Sequence, residues 1–220
     1  KDLDLTVIRS DAGDDTVKVH ENMLSIQNSK EALEKEYTNY TFTIIPADFT
    51  IFENENGLTV SAADVVKEYD GNSYGVTATA RIKNAEIENP NITIKYWNEK
   101  TNAYDLDESP EYRNVADTPA VVKFEASLYG YKSVQGEATV TITRRPVTIK
   151  AKESSKVYGN PDPAFDLATL ENSVGDELKD LDLAVIRSDA GDDTIKVHEN
   201  VLSVQNSKEA LEKEYTNYIF

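Results

Sequence analysis

The sequence contains no cysteine, and this absence excludes two kinds of structural reinforcement. Disulfide bonds and thiolate metal sites both need cysteine side chains, so neither stabilises this chain. Long apolar runs are also missing. No stretch approaches the roughly 20 residues that a helix needs to cross a bilayer, so we expect no membrane insertion.

Positive charge is scarce relative to negative charge. The chain has 23 basic and 40 acidic residues, and its formal net charge is −17. A surface of this sign repels phosphate backbones, so we expect no nucleic-acid partner. The same repulsion applies to an anionic membrane. High net charge also keeps a crowded, exported protein in solution, which is the simpler interpretation of this composition.

Motifs for catalysis are scarce as well. Histidine occurs only twice, at His20 and His198. The residues HENML at 20–24 begin like a zinc-binding HExxH helix, but Leu24 stands where the second histidine must be, so we expect no zinc site. No GxxxxGK[ST] phosphate loop occurs, and we expect no nucleophile elbow of the hydrolase type. The sequence therefore predicts a protein that is not an enzyme.

What the sequence does contain is a long internal repeat. Residues 1–42, the N-terminal copy, recur at residues 179–220, the C-terminal copy, with 37 of 42 aligned positions identical. The differing pairs are Thr6/Ala184, Val17/Ile195, Met23/Val201, Ile26/Val204 and Thr41/Ile219. A fixed period of this kind is the signature of a tandem array. We therefore expect the chain to be a slice of a longer array.

Short segments rich in Val, Ile, Thr, Tyr and Phe alternate with turn residues, which predicts a mainly β protein. Ala138, Val140 and Ile142 alternate with threonines, as a half-buried strand requires. The predicted strands are Leu3–Arg9, Thr16–His20, Tyr40–Ile45, Gly75–Ile82, Ile92–Trp97, Val121–Ser127, Glu137–Arg144 and Val147–Lys152. One short helix is predicted at Lys30–Tyr37, with a copy at Lys208–Tyr215, after a capping sequence at residues 28–31.

Two proline-terminated strands divide the chain into three segments, residues 1–46, 47–144 and 145–220. The first segment ends in TFTIIP and the second passes into the third through TVTITRRP. Proline removes a backbone donor from the strand ladder and stiffens the connection. Short, stiff links between domains favour a rod over a flexible string.

Several motifs resemble repeats of bacterial surface adhesins. Residues 145–220 are similar to the MBG repeat through KVYGNPDPAF at 156–165, GDEL at 175–178 and NY at 217–218. Residues 47–144 resemble the YDG and Ig-like repeats that alternate with it, through KEYDGNSYG at 67–75, YGY at 129–131 and ATVTITRRPV at 138–147. Residues 1–46 then correspond to the C-terminal portion of an MBG-type repeat, and residues 145–220 lack the final strand of one.

The resemblance implies a fold and a setting. It implies small β-grasp-like MBG units with an Ig-like β-sandwich between them, in a tandem multidomain array. It also implies a non-catalytic role in cell adhesion, as an adhesin stalk or adhesive array on the extracellular surface or cell wall of a Gram-positive bacterium. Because a fold does not determine a function, the resemblance to the family is the only support for this role at this stage.

An acidic turn recurs in both copies. Asp11, Asp14 and Asp15 cluster in the sequence DAGDD. The same turn in the C-terminal copy contains Asp189, Asp192 and Asp193. Calcium takes roughly six to eight oxygen ligands, which such turns could supply, but the EF-hand spacing D-x-[DN]-x-[DN]-G is absent. A solvated turn is the favoured interpretation, calcium is the alternative, and no other cofactor is expected.

Aromatic residues are concentrated in the middle segment. Trp97, Tyr96, Tyr104 and Tyr112 are the candidates for stacking on sugars of host glycans or glycoproteins. The competing interpretation is that strand tyrosines are half-buried packing residues with a solvated hydroxyl. A glycan- or mucin-binding module is therefore the alternative to a stalk.

Residues 1–46 lack the stretch that matches residues 147–178. Ordering a partial sheet costs roughly 1–2 kcal/mol of backbone entropy per residue and leaves an unpaired edge. The segment could pack on the middle segment, complete a sheet with a neighbouring chain, or take residues 147–178 from the adjacent copy. Since two near-identical segments compete for one partner, we predict a head-to-tail or domain-swapped self-association.

Overall fold

The computed structural model describes residues 3, 5–83 and 91–220, and it shows a mainly β protein. The strands are β1 (Val7–Arg9), β2 (Val19–Ile26), β3 (Ala47–Thr50), β4 (Leu58–Ser61), β5 (Val65–Glu68), β6 (Thr79–Ile82), β7 (Thr93–Asn98), β8 (Ala103–Leu106), β9 (Ala120–Leu128), β10 (Tyr131–Thr143), β11 (Arg145–Pro146), β12 (Thr148–Lys150), β13 (Thr169–Glu171), β14 (Val185–Arg187), β15 (Leu202–Val204) and β16 (Tyr218–Ile219). The helices are α1 (Lys30–Glu36) and α2 (Lys208–Glu214), and a 3-10 turn covers Val115–Asp117. Within the described ranges neither helix is long or apolar enough to span a bilayer.

The described chain forms two compact units. Unit 1 comprises Lys1–Val60, Thr79–Ile94 and Glu125–Gln135. Unit 2 comprises Ser61–Ala78, Lys95–Phe124 and Gly136–Phe220. The division into segments at 46/47 and 144/145 stays a prediction about repeat organisation.

The two helices have identical caps because their sequences are identical. Ser29 accepts a hydrogen bond from the Ala32 amide, and Ser207 accepts one from Ala210, each at 3.2 Å. Each helix buries one leucine, Leu33 or Leu211. A seven-residue helix is marginal by itself in water, so this buried leucine is what retains it. The predicted helices are confirmed, although each ends one residue earlier than expected.

A three-stranded sheet in unit 1 has the order β1-β2-β3, and both pairings are antiparallel. The pairing of β2 with β3 shifts register between His20 and Leu24. Asn22 lies in this irregularity with φ of 57°, a left-handed conformation that asparagine tolerates better than most residues. Its amide donates to the Asp48 side chain of β3 at 2.8 Å, so the irregularity and β3 stabilise each other.

A five-stranded sheet has the order β5-β10-β9-β7-β8. Strand β10 pairs in parallel with β5, and β7 pairs antiparallel with β8. The alternation predicted for β10 is confirmed, because Ala138, Val140 and Ile142 are all buried. Val122 and Phe124 of β9 are buried as well, so the core of unit 2 includes the inward faces of these two strands.

The C-terminal part of unit 2 contains three small two-stranded sheets. Strand β11 pairs in parallel with β16, β12 pairs antiparallel with β13, and β14 pairs antiparallel with β15. The buried hydrophobic residues of this part are Val147, Ala168, Leu178, Leu181, Leu211 and Tyr218. In this arrangement residues 145–178 contact the C-terminal copy of the same chain.

The strand predicted at Tyr40–Ile45 is wrong. The structure has no strand there, whereas the equivalent Tyr218–Ile219 forms β16. The difference has a physical cause, since β16 obtains its hydrogen bonds from β11. The strand predicted at Thr16–His20 overlaps only the start of β2, at Val19–His20. The strands that lie outside the predicted ranges are β3, β4, β5, β8, β11, β13, β14, β15 and β16.

Candidate functional site

A cluster of two tyrosines, an arginine and a glutamate lies inside unit 2, and we call it the junction cluster. Tyr69 follows β5 directly, and its amide extends the β5–β10 pairing by donating to the Thr143 carbonyl at 2.9 Å. Tyr218 opens β16. Both rings are buried, and they meet edge to face with centroids 5.5 Å apart.

Glu177 is the shared acceptor of the junction cluster. Tyr69 Oη donates to Glu177 Oε1 at 2.7 Å, and Tyr218 Oη donates to Oε2 at 2.6 Å. Arg113 Nη2 donates to Oε1 at 3.0 Å. Hydrogen bonds to a charged acceptor are stronger than neutral ones, so one carboxylate stabilises three side chains from distant parts of the chain.

The pKa values follow from this geometry. Burial raises the pKa of Glu177, but the hydrogen bonds from Tyr218, Tyr69 and Arg113 outweigh it and leave that pKa below its ordinary value. Burial and then the Glu177 carboxylate raise the pKa of Tyr218. The same two causes raise the pKa of Tyr69. At neutral pH the cluster therefore consists of a carboxylate, a guanidinium and two protonated phenols.

A second set of contacts surrounds the junction cluster. Asn217 Oδ1 accepts from the Val115 amide at 2.9 Å, and its Nδ2 donates to Asn114 at 3.1 Å. Arg145 donates to Glu68 at 3.1 Å. Beside them lies a cleft of about 380 Å³ with a largely polar lining. These contacts connect residues of the middle segment with residues 145–220.

The acidic turn of the N-terminal copy is closed by hydrogen bonds within the turn. Arg9 Nε donates to Asp11 at 2.7 Å, and its Nη2 donates to the Asp14 carbonyl. The ring of His20 is buried, with Nδ1 facing Asp11 and Nε2 facing the Thr16 carbonyl at 2.9 Å. The hydroxyl and amide of Thr16 both bond to Asp14, and they lower its pKa to about 2.

The C-terminal copy repeats this arrangement. Arg187 Nε donates to Asp189 at 2.7 Å, and Nη2 donates to the Asp192 carbonyl at 2.6 Å. His198 faces Asp189 and the Thr194 carbonyl, and these two acceptors, Thr194 first, raise its pKa. The same sequence thus builds the same turn in both units.

The remaining carboxylates pair with different cations in the two copies. Asp15 lies 3.5 Å from Arg9, whereas the equivalent Asp193 pairs with Lys156. Lys156 also pairs with Asp162 at 2.8 Å, and Asp162 lies 3.0 Å from Arg187. The KVYGNPDP segment therefore supplies ion pairs to the C-terminal copy.

The best metal-like arrangement in the described residues joins two aspartates and one histidine. The ligand atoms of Asp11, Asp14 and His20 lie within 4.8 Å of one another, and the C-terminal copy has the same set. Calcium prefers an all-oxygen shell with more ligands than this. Arg9 and Lys18 already neutralise the two carboxylates. Calcium binding here stays a prediction, and the observed chemistry is that of an internally paired turn.

Sequence reasoning missed the histidines as members of the turns. His20 lies near the N-terminal end of β2, where its side chain is buried and only 1% exposed. The available signal was the separation of nine residues between Asp11 and His20, which the C-terminal copy preserves between Asp189 and His198.

The four sugar-stacking candidates occupy different environments. Tyr96 is buried, and its hydroxyl bonds to the Ala78 amide, so its ring presents no open face. Trp97 and Tyr104 are half-buried and touch edge to face, with centroids 5.1 Å apart. Tyr112 lies apart from them and pairs through its backbone with Tyr74. Only the pair of Trp97 and Tyr104 forms a contiguous aromatic surface among the four.

Residues GNSYG at 71–75 match the letters of the GxSxG nucleophile elbow. That elbow requires a strand, a sharp turn and a following helix. Here Ser73 is exposed, residues 74–83 contain no helix, and the turn is closed by Asp70, which accepts from the Asn72 amide at 2.9 Å. Both imidazoles bond within their acidic turns, so neither serves as a base for Ser73.

Comparison of the chain with protein-family models, with curated proteins and with solved structures finds no match.

Proposed function

We propose that this chain is a non-catalytic repeat segment of a bacterial cell-surface protein, acting as an adhesin stalk or adhesive array. In this proposal residues 1–46 and 145–220 are MBG-type segments, and residues 47–144 are an Ig-like sandwich. The observation that carries it is the junction cluster. Tyr218 of this cluster belongs to the repeated sequence, and the equivalent Tyr40 is 68% exposed.

The junction cluster supports a stalk because it restrains one segment against the next inside unit 2. Three side chains donate to Glu177. The Arg145 and Val147 amides donate to the Asn217 and Ile219 carbonyls at 2.9 and 2.8 Å. A link of this kind has a defined geometry, whereas a flexible linker has none. Repeating it along an array would produce an extended, semi-rigid structure.

The chemistry of the cluster supports a structural role over a catalytic one. Three side chains donate to the oxygens of Glu177 and lower its pKa, so this carboxylate is a weak general base. The raised pKa of Tyr218 keeps its phenol protonated and a poor nucleophile. The acidic turns also favour a structural role, because their carboxylates are bonded to side chains and amides of the same turn.

Small-angle X-ray scattering of a two-period chain tests the stalk directly. Residues 43–220 are appended to Phe220, which preserves the period because Phe220 occupies the position of Phe42. A rod lengthens almost in proportion to its residues, by about 1.8-fold, whereas the radius of gyration of a compact domain grows by only about 1.25-fold. We expect the maximum dimension of the two-period chain to be about 1.8 times that of the original chain. An increase of only about 1.25-fold would reject the stalk.

A glycan-binding role is the second candidate, and the contiguous surface of Trp97 and Tyr104 favours it. If this surface binds sugars, Trp97→Ala weakens binding on a glycan array by about tenfold. Tyr158→Ala is the matched control, because Tyr158 is an exposed aromatic residue of the same unit. Equal binding by both variants, or no binding by the original chain, counts against the role.

Domain-swapped self-association stays a prediction. In the structure residues 145–178 pair with the C-terminal copy of their own chain. The N-terminal copy leaves Leu3, Leu5 and Tyr40 exposed, whereas the equivalent Leu181 and Tyr218 are buried. These exposed side chains are the surface through which such an exchange would occur.

A further inference from the structure

The two copies differ at one strand edge. In the N-terminal copy β2 runs for eight residues, whereas its equivalent β15 is limited to Leu202–Val204. The extra residues of β2 are the ones that pair with β3, with Val19 opposite Thr50 and His20 opposite Phe49. The C-terminal copy has the same sequence apart from conservative changes, so the difference reflects the presence or absence of a partner strand.

Strand β3 makes specific side-chain contacts as well as backbone pairing. The guanidinium of Arg9 lies 4.5 Å from the centroid of the Phe49 ring, a cation–π arrangement. The His20 ring lies 6.4 Å from the same ring. Asp48 accepts from the Asn22 amide, and the Ile51 amide donates to the Lys18 carbonyl at 3.1 Å.

The equivalent edge of the C-terminal copy, residues 196–202, is uncovered, and we call it the open edge. Val197 in this edge is 82% exposed, and the adjacent Ile195 is 87% exposed. The His198 side chain is 15% exposed, compared with 1% for His20. These residues line a cavity of about 950 Å³, which several residues between 151 and 165 line as well.

The open edge is already arranged for a partner strand. Asn200 has φ of 56°, and Asn22 in the paired copy has φ of 57°. Arg187 bonds to the same two acceptors in its turn as Arg9 does, and its Nη1 also donates to Asp162 at 3.0 Å. No side-chain carboxylate bonds to the Asn200 amide within the described residues.

The backbone makes the same hydrogen bond at the C-terminal end of both copies. The Phe42 amide donates to Glu34 at 3.1 Å, and the Phe220 amide donates to Glu212 at 3.1 Å. In the N-terminal copy, the residues that follow this point are the ones that reach β2 as β3. A segment of the same sequence joined to Phe220 would therefore start from the same position and direction.

We propose that the open edge is a strand-addition site for the segment equivalent to Ala47–Thr50 of a following repeat. Its phenylalanine covers Arg187 and His198, and its aspartate accepts from the Asn200 amide. Backbone pairing supplies affinity, and these two side chains supply specificity, as in other cases of β-strand addition. The inference rests on the proposed function, because it takes the occupant from the next copy in an array.

A chain extended at its C-terminus tests this proposal. The sequence TIIPADFTIF, which is that of residues 43–52, is appended to Phe220, and hydrogen exchange is followed by mass spectrometry. We expect exchange of residues 196–202 to slow about tenfold relative to the unextended chain. Residues 18–24 provide an internal reference, and their exchange should not change.

The control is the same extension with alanine in place of the residue equivalent to Phe49. This control should leave exchange at the open edge close to that of the unextended chain. Unchanged exchange with the original extension, or equal slowing by both extensions, overturns the proposal. Light scattering is measured in parallel, and protection that appears only in dimers overturns it too, since the occupant would then come from another chain.

These outcomes are independent of the scattering test of the stalk. Strand addition could fail while a two-period chain remains extended through its junction clusters. A compact two-period chain could equally retain protection at the open edge.

Discussion

Glu177→Ala lowers the free energy of unfolding by about 2–4 kcal/mol, because two buried tyrosine hydroxyls and Arg113 lose their common acceptor. Urea denaturation followed by the fluorescence of Trp97, the only tryptophan, measures this change in unit 2. The adjacent cleft admits water, which limits the loss to this range.

The matched control is Glu171→Ala, which removes an exposed carboxylate from the same unit. An exposed carboxylate of this kind is usually worth less than about 0.5 kcal/mol. If both variants unfold at the same urea concentration, the junction cluster does not stabilise the fold, and the principal support for the stalk is lost.

The junction cluster also has a predictable pH dependence. The pKa of Glu177 is lower in the folded chain than its unfolded value of about 4.3, so folding favours the ionised form. This contribution is complete above the unfolded pKa and is lost as the pH falls through the folded pKa. Glu177→Gln keeps an acceptor but has no charge to titrate, so the stability difference between the original chain and this variant should shrink on acidification. A difference that stays constant from pH 7 to about 3 contradicts the assignment.

Phe124→Ala has an even larger expected effect, a loss of about 3–5 kcal/mol, because it opens a cavity in the core of unit 2. Phe124 is fully buried and meets the Tyr96 ring edge to face at 6.2 Å. The same fluorescence-detected urea titration measures the change. A loss below 1 kcal/mol would show that the core closes around the missing ring.

A double variant of Gly136 and Phe124 tests the packing around the Phe124 ring more directly. A Cβ at Gly136 would lie 2.5 Å from the Phe124 ring, so Gly136→Ala alone is destabilising by overpacking. In the Phe124→Ala background the ring is gone and the added methyl group has space. The double variant should therefore lose less stability than the sum of the two single variants. Strict additivity would show that the two residues are not in contact.

Part of this fold could be predicted from the sequence, where the signal is local. The alternation at Ala138, Val140 and Ile142 predicts the buried face of β10, and the serine caps predict both helices. The signal fails where a strand needs a distant partner. Residues 40–42 and 218–220 differ only at Thr41/Ile219, but only the second of these segments pairs with β11.

The candidate site was harder to predict for the same reason. Glu177 lies 108 residues from Tyr69 and 41 from Tyr218, and no local pattern connects them. The GDEL and NY motifs include two of these residues, but a motif does not indicate that they share hydrogen bonds. The four acids of the metal-like sets were identified, whereas their arginine and histidine partners were not, although each arginine lies only two residues from its aspartate.

The parallel pairing of β11 with β16 has a mechanical consequence. Tension applied between residue 145 and residue 220 pulls β11 from its N-terminal end and β16 from its C-terminal end. In a parallel pair this direction of pull shears the strands along each other, so the Arg145 and Val147 hydrogen bonds are strained together instead of opening in succession. A tether built from such units resists stretching best along its own axis.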